Sequence, residues 1–159
     1  MLKNGQTFPT MTVAKVGGGT IHLPGDLAGS WSVVLIYRGA WCPLCREQLE
    51  EYEARRAELD GLGVKFVAFS VDDEATTSKL AADLHLSFPM GFGADADQVV
   101  ATLGAAVNAE PHYVQPTDFI LTPDGSVVNA MYSTNAMGRI TAGEVIRMVS
   151  FINSQNKAA

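Results

Sequence analysis

The feature that most limits what this chain can fold into is an unbroken run, Ser32-Val33-Val34-Leu35-Ile36-Tyr37, followed within a few residues by Trp41-Cys42-Pro43-Leu44-Cys45. β-Branched and aliphatic residues without polar alternation suit a strand covered on both faces. Pro43 fits the first position of a helix, where its missing N–H is not needed. Cys45, Leu49, Tyr52 and Leu59 then recur at helical spacing, and Gly61 and Gly63 end the helix. The cysteines therefore sit where a buried strand turns into a helix. Cys42 falls at or beside the N-cap, and Cys45 lies about one turn further in. The first N–H groups of a helix lack internal partners and carry the positive end of its dipole. A thiolate at Cys42 is favoured there, and Cys45 is placed to attack a sulfenic acid or mixed disulfide formed on it. Arg38 and Arg46 are candidates to add positive charge.

The rest of the chain is compatible with that setting. Thr7 to Val13 reads as an edge strand that tolerates Pro9, Gly17-Gly18-Gly19 as a turn, and Thr20-Ile21-His22-Leu23 as the second strand of an N-terminal hairpin. Val64, Phe66, Val67, Phe69 and Val71 form a second buried strand. Helices follow from about Glu74 to Leu84 and from about Asp97 to Leu103. Asp118-Phe119-Ile120-Leu121-Thr122 and Ser126 to Tyr132 are strands joined by Pro123-Asp124-Gly125, strong turn chemistry. Thr141-Ala142-Gly143-Glu144 is a capping box that opens a last helix, with Val145, Ile146, Val149 and Ile152 as its buried stripe. Helices separate the two central strands, which are expected to be parallel; the late hairpin is antiparallel. The expected architecture is α/β, a mixed central sheet with helices on both faces and an N-terminal β-hairpin, in one domain spanning residues 1–159.

Charge and composition exclude other classes. Eleven Lys and Arg against 17 Asp and Glu give a net charge of −6, and the basic residues are scattered, so a nucleic-acid footprint is not expected. No apolar run approaches the ~18–20 residues of a membrane span. The opening Met1-Leu2-Lys3-Asn4-Gly5 lacks the apolar core of a signal peptide, so the cytoplasm is the expected compartment. Two cysteines cannot build a disulfide scaffold. They could form half of a zinc site completed by His22, His85 or His112, none of which is paired at ligand spacing, or they could be buried apolar fillers. Fillers have no reason to sit at a strand-to-helix turn after Trp41, and the redox reading is preferred.

On these residues the chain resembles a known superfamily. Trp41-Cys42-Pro43-Leu44-Cys45 is similar to the W-C-x-x-C of thioredoxin-like proteins, and Gln115-Pro116-Thr117 ahead of Phe119-Ile120-Leu121 resembles their proline-threonine step before a strand. Tyr37 to Pro43, the opening around Phe8-Pro9, Ala68-Phe69-Ser70-Val71-Asp72 and Thr122-Pro123-Asp124-Gly125 resemble the peroxiredoxin-like branch, the alkyl hydroperoxide reductase and thiol-specific antioxidant family. The resemblance covers nearly the whole chain and implies a thioredoxin-like fold. It also implies a Pro116 whose peptide bond is cis and which faces the cysteines. Arg38, Trp41, Pro43, Pro116 and Thr117 are then supporting site residues. The sequence departs from that branch at Gly39, where a Thr or Ser is usual three residues before the reactive cysteine, and at Leu35, where a Pro is usual. Thioredoxins proper carry a buried Asp at the position of Ile36.

The expected activity is an oxidoreductase in which the Cys42 thiolate attacks a peroxide oxygen or a disulfide sulfur. Cys45 then closes an internal disulfide, and an external thiol of thioredoxin or glutaredoxin type restores the pair. No bound cofactor or metal is required, and a homodimer is allowed. A protein disulfide reductase with little peroxidase activity, and a redox-switched binding module, are the alternatives. His112 and Asp118 are further candidates, as a proton shuttle and as an acceptor for the Cys45 proton; an exposed loop residue and a structural hydrogen bond are the simpler readings. Trp41 either shields the thiolate, offers a partner surface or packs in the core. Tyr37 and Phe69 read as core, Asp72-Asp73-Glu74 as an acidic helix start, and Gly91-Phe92-Gly93 as a turn.

Overall fold

The computed structural model describes residues 1–158. Its centre is the pair of strands anticipated on either side of the cysteine helix. β3 (Trp31–Ile36) and β4 (Val64–Phe69) run parallel, with Val33 beside Phe66 and Leu35 beside Ala68. They are parallel because α1 (Pro43–Ala54) and α2 (Arg56–Gly61) carry the chain back between them. The helix expected to run through to Gly61 is interrupted at Arg55, whose φ of −103° and ψ of 15° leave helical geometry. Leu59 beyond the break is still fully buried.

Seven strands form the sheet, in the order β2-β1-β5-β4-β3-β8-β9. On one side β8 (Thr117–Leu121) is antiparallel to β3, and β9 (Val127–Tyr132) returns antiparallel to β8 through the anticipated turn. On the other side β1 (Met11–Lys15) and β2 (Thr20–Leu23) make the N-terminal hairpin. The first strand begins at Met11, later than its sequence suggested. Pro9 cannot donate to a ladder, and the residues before it bond to the far turn instead: Gly5 N–H to Val127 O at 2.8 Å and Phe8 N–H to Gly125 O at 2.9 Å.

The hairpin joins the sheet through β5 (Met90–Phe92), which is parallel to β4 and antiparallel to β1. This strand corrects the reading of Gly91-Phe92-Gly93 as a turn. Gly91 is there because a Cβ at that point would lie 2.8 Å from both Phe69 Cβ and Val13 Cγ1. α3 (Glu74–Asp83) follows β4, capped by Asp73, which accepts the Thr76 N–H at 2.8 Å. α4 (Ala96–Leu103) and α5 (Ala142–Ala158) complete the helices, and β6 (Val107–Asn108) pairs with β7 (Tyr113–Val114) in a small separate hairpin.

Alternate residues of the central strands supply two cores. Val33, Leu35, Phe66 and Ile120 pack with Leu49, Tyr52, Leu80 and Val145 of the helices on one face. Val34, Val67, Phe119 and Leu121 pack on the other with Phe8, Ile21, Val99 and Leu103. Each such side chain contributes roughly 1.5–3 kcal/mol of burial. Both faces are covered, which is why the strands show no polar alternation. Among the described residues no helix is long and apolar enough to cross a membrane.

Candidate active site

Cys42 is the N-cap of α1, with φ −86° and ψ 112°, and its Sγ accepts the Cys45 N–H at 3.3 Å. Pro43 occupies the first turn, where no donor is lost. Both thiols are free and buried. One guanidinium serves the pair: Arg139 Nη2 lies 3.1 Å from Cys45 Sγ and 3.6 Å from Cys42 Sγ. Burial pushes the Cys45 thiol up to about 11, and the adjoining Cys42 adds to this, while the Arg38 backbone N–H and Arg139 pull the other way.

A second guanidinium lies on the open side. Arg38 Nη2 donates to Tyr113 Oη at 2.8 Å, and its Cζ lies 4.9 Å from the Trp41 ring centre and 5.2 Å from that of Tyr113. The two rings meet edge to face at 5.0 Å. Trp41 remains 52% exposed, which excludes core packing for it. Gly39 is required beneath the indole: a Cβ there would collide with Trp41 Nε1 and lie 2.8 Å from its Cδ1. The indole therefore fills the space that the hydroxyl side chain usual at this position would take. The Ala40 peptides are held from both sides, its N–H by Asp72 Oδ2 at 2.7 Å and its carbonyl by Arg46 Nη1 at 3.1 Å. Arg46 thus braces the loop rather than reaching a sulfur.

Asp118 is 1% exposed on β8. Its Oδ2 accepts Gln48 Nε2 at 2.8 Å and the Ile140 N–H at 2.9 Å. No hydrogen bond joins it to Cys45; the group beside that sulfur is Arg139, a donor that cannot take up the thiol proton. Gln48 Nε2 and Tyr52 Oη both donate to the Ile140 carbonyl, at 3.1 and 3.0 Å.

The expectation of a cis bond at Pro116 is overturned. The cis bonds are Leu23-Pro24 and Glu110-Pro111, and Gln115-Pro116 is not among them. The segment is held extended: the Gln115 N–H bonds Ala106 O at 2.8 Å, and Pro116 O accepts the Ser133 N–H at 2.9 Å. Thr117 is fully buried and its Oγ1 donates to Gln115 O at 2.9 Å, tying its own backbone instead of a sulfur. His112 lies on the exposed side of the β6–β7 hairpin, 3.0 Å from Asp97 Oδ1; its neighbour Tyr113 is the residue that reaches the site. His22 and His85 are in β2 and beyond α3, and no group of three or more His, Cys, Asp or Glu able to hold a metal exists among the described residues.

Arg139, Gln48 and Tyr113 are the site residues that sequence reasoning missed or underused. Gln48 carried a signal, a polar residue inside the stripe formed by Cys45, Leu49 and Tyr52. Arg139 carried only its place before the capping box.

A helix-capping cysteine, a second cysteine one turn on and a guanidinium against both sulfurs define a thiol oxidoreductase of thioredoxin-like fold. Residues 4–130 match the AhpC/TSA family, and the chain belongs to it. It is 26% identical to a peroxiredoxin of Chlorobaculum tepidum, covering 98% of this chain and 75% of that protein. It is also 26% identical to one of Treponema denticola, over 96% and 74%. In fold it is similar to Mycobacterium tuberculosis AhpC, with a TM-score of 0.80 and 21% identity over 98% of this chain and 95% of the other. The chain is accordingly a peroxiredoxin-like, thiol-dependent oxidoreductase.

Proposed function

We propose that the chain reduces hydroperoxides through a Cys42/Cys45 dithiol–disulfide cycle. The observation that carries the assignment is the shared donor, Arg139 Nη2, within 3.1 and 3.6 Å of the two sulfurs at the start of α1. The Cys42 thiolate attacks the terminal peroxide oxygen. An S–O bond forms, the O–O bond breaks, and the leaving alkoxide takes up a proton to become an alcohol. Cys45 then attacks the sulfenic sulfur. The S–S bond forms, the S–O bond breaks, and the departing hydroxide combines with the thiol proton as water. An external dithiol of thioredoxin or glutaredoxin type returns two electrons, in the reducing setting of the cytoplasm.

One observation favours a second reading. The indole over Gly39 occupies the place of the usual peroxide-binding hydroxyl and leaves Trp41 exposed beside the cysteines, which suits a protein disulfide as oxidant. Stopped-flow mixing of the reduced chain with hydrogen peroxide, an organic hydroperoxide and a model disulfide separates the two. Trp41 fluorescence, with Trp31 replaced by Phe, reports each oxidation. The proposal expects a hydroperoxide to react fastest; a disulfide that outpaces both peroxides would replace it with the disulfide reading.

A further inference from the structure

The Asp118 carboxylate is a buried acid close to the cysteine pair to which the redox cycle gives no task. It is buried under α1; its Oδ2 accepts from Gln48 and Ile140, while its Oδ1 has no hydrogen-bond partner of good geometry and the Ile36 N–H of β3 is the remaining backbone donor near the carboxyl. A buried carboxylate oxygen without a partner is costly to keep and calls for an explanation. The Ile140 N–H belongs to the peptide that follows Arg139, and Asp118 holds it at 2.9 Å. The next carbonyl, that of Ile140, is pinned by Gln48 and Tyr52. Both peptides flanking Ile140 are thus fixed to β8 and α1, and from the residue just before them Arg139 extends its guanidinium to Cys45 and Cys42.

We infer that Asp118 is a positioning residue for the cysteine pair: it fixes the backbone that carries Arg139 and shares that guanidinium's charge with the two sulfurs. This deepens the redox reading above and concerns the same site. The charged and titratable neighbours are few. From the loop before α5 comes Arg139, which favours the carboxylate, and from α1 comes the Tyr52 phenol, whose own proton is held by burial and by Asp118. The flanking strands place apolar Leu35 and Met131 opposite it and, from β3, the Ile36 N–H. Burial pushes the Asp118 carboxyl up to about 7, so its charge changes near neutral pH. Ionised, it claims part of the Arg139 charge; protonated, it leaves that charge to the sulfurs. The Cys45 thiol, which Arg139 already pulls down, then gives up its proton more readily. The effect is reciprocal, since two linked sites shift each other equally.

The test is a pH titration of the reduced full-length chain, labelled with 13C at cysteine Cβ and aspartate Cγ, with thiolate absorbance followed in parallel. In the wild type the Cys45 Cβ resonance is expected to show a step at the pH where the Asp118 Cγ titrates. In Asp118→Asn, which keeps an oxygen acceptor for Ile140 and Gln48, that step disappears and the Cys45 thiol step moves down by about one pH unit. In Arg139→Gln the Cys45 Cβ response at the Asp118 step disappears, and both groups titrate higher. An Asp118 Cγ step without a Cys45 response in the wild type overturns the inference, and so does an Asn variant whose thiol step stays in place or rises. The wild-type comparison stands even if a variant does not fold. Because the titration needs no oxidant, a chain that ignores peroxides yet shows the coupled steps would overturn the proposed substrate and leave this inference standing.

Discussion

At the scale of single residues, the account rests on which groups face the two sulfurs. Removing Arg139 should be felt first at Cys45, the closer sulfur at 3.1 Å. Arg139→Gln takes away a cation that lowers the Cys45 thiol, so that thiol titrates higher and closure of the disulfide slows by about tenfold at neutral pH. Rapid-quench trapping of the sulfenic acid against time measures this; an unchanged closure rate would deny Arg139 its role. Gly39→Thr should drive the indole off Arg38, since Trp41 Nε1 and Cδ1 occupy the space of any Cβ at 39. Trp41 fluorescence and its quenching by iodide report the displacement. The placement of the two cysteines at the start of one helix was legible from the sequence because spacing along a helix is local information. Arg139 was not, because it arrives from 94 residues beyond Cys45 and only the tertiary fold brings it there. Pro116 was misread for a related reason: whether an X-Pro bond is cis is decided by the pairing of its neighbours, here the bonds of Gln115 and Pro116 to Ala106 and Ser133.

At the scale of elements, the site is aimed by helix ends. α1 starts on Cys42 itself, and α5 starts on the capping box anticipated at Thr141 and Glu144. The Thr141 N–H bonds Glu144 Oε2 at 2.8 Å, and the Glu144 N–H bonds Thr141 Oγ1 at 3.1 Å. Because Arg139 lies two residues before this cap, Thr141→Ala should cost about 1 kcal/mol of stability and loosen the guanidinium as well. Denaturant unfolding reads the first effect and the disulfide closure rate the second; loss of stability with no change in closure would separate the cap from the site. Leu49→Ala, in the fully buried stripe of α1, should cost about 2–5 kcal/mol. Elements with strong local signals were readable in advance: the apolar runs of β3 and β4, the Pro-Asp-Gly hairpin and both capped helices. β5 was not, because three residues around Gly91 make a strand only where Phe69 and Val13 press against it.

At the scale of the whole molecule, the sheet encloses a carboxyl whose titration is linked to folding. Burial raises Asp118 from an ordinary 3.8 to about 7. Between those values the unfolded chain releases the proton that the folded chain retains, so this group lowers stability as pH rises through that window and the loss levels off above it. At 1.36 kcal/mol per pH unit the difference is about 4 kcal/mol. Asp118→Asn should therefore gain on the wild type by an amount of that order between about pH 4 and about pH 8, measured by urea unfolding. A difference independent of pH would show that the carboxyl is not raised. The central claim is that Cys45 resolves oxidised Cys42 within one chain, and intact-mass spectrometry after a single equivalent of hydroperoxide tests it most directly. The account predicts that the wild type loses two hydrogens and forms one internal disulfide with no cross-linked dimer. In Cys45→Ser, Cys42 keeps an added oxygen, reacts with dimedone and advances to the sulfinic acid at high oxidant. A wild-type chain that instead accumulates a stable sulfenic acid, or pairs with a second chain through Cys42, would contradict it.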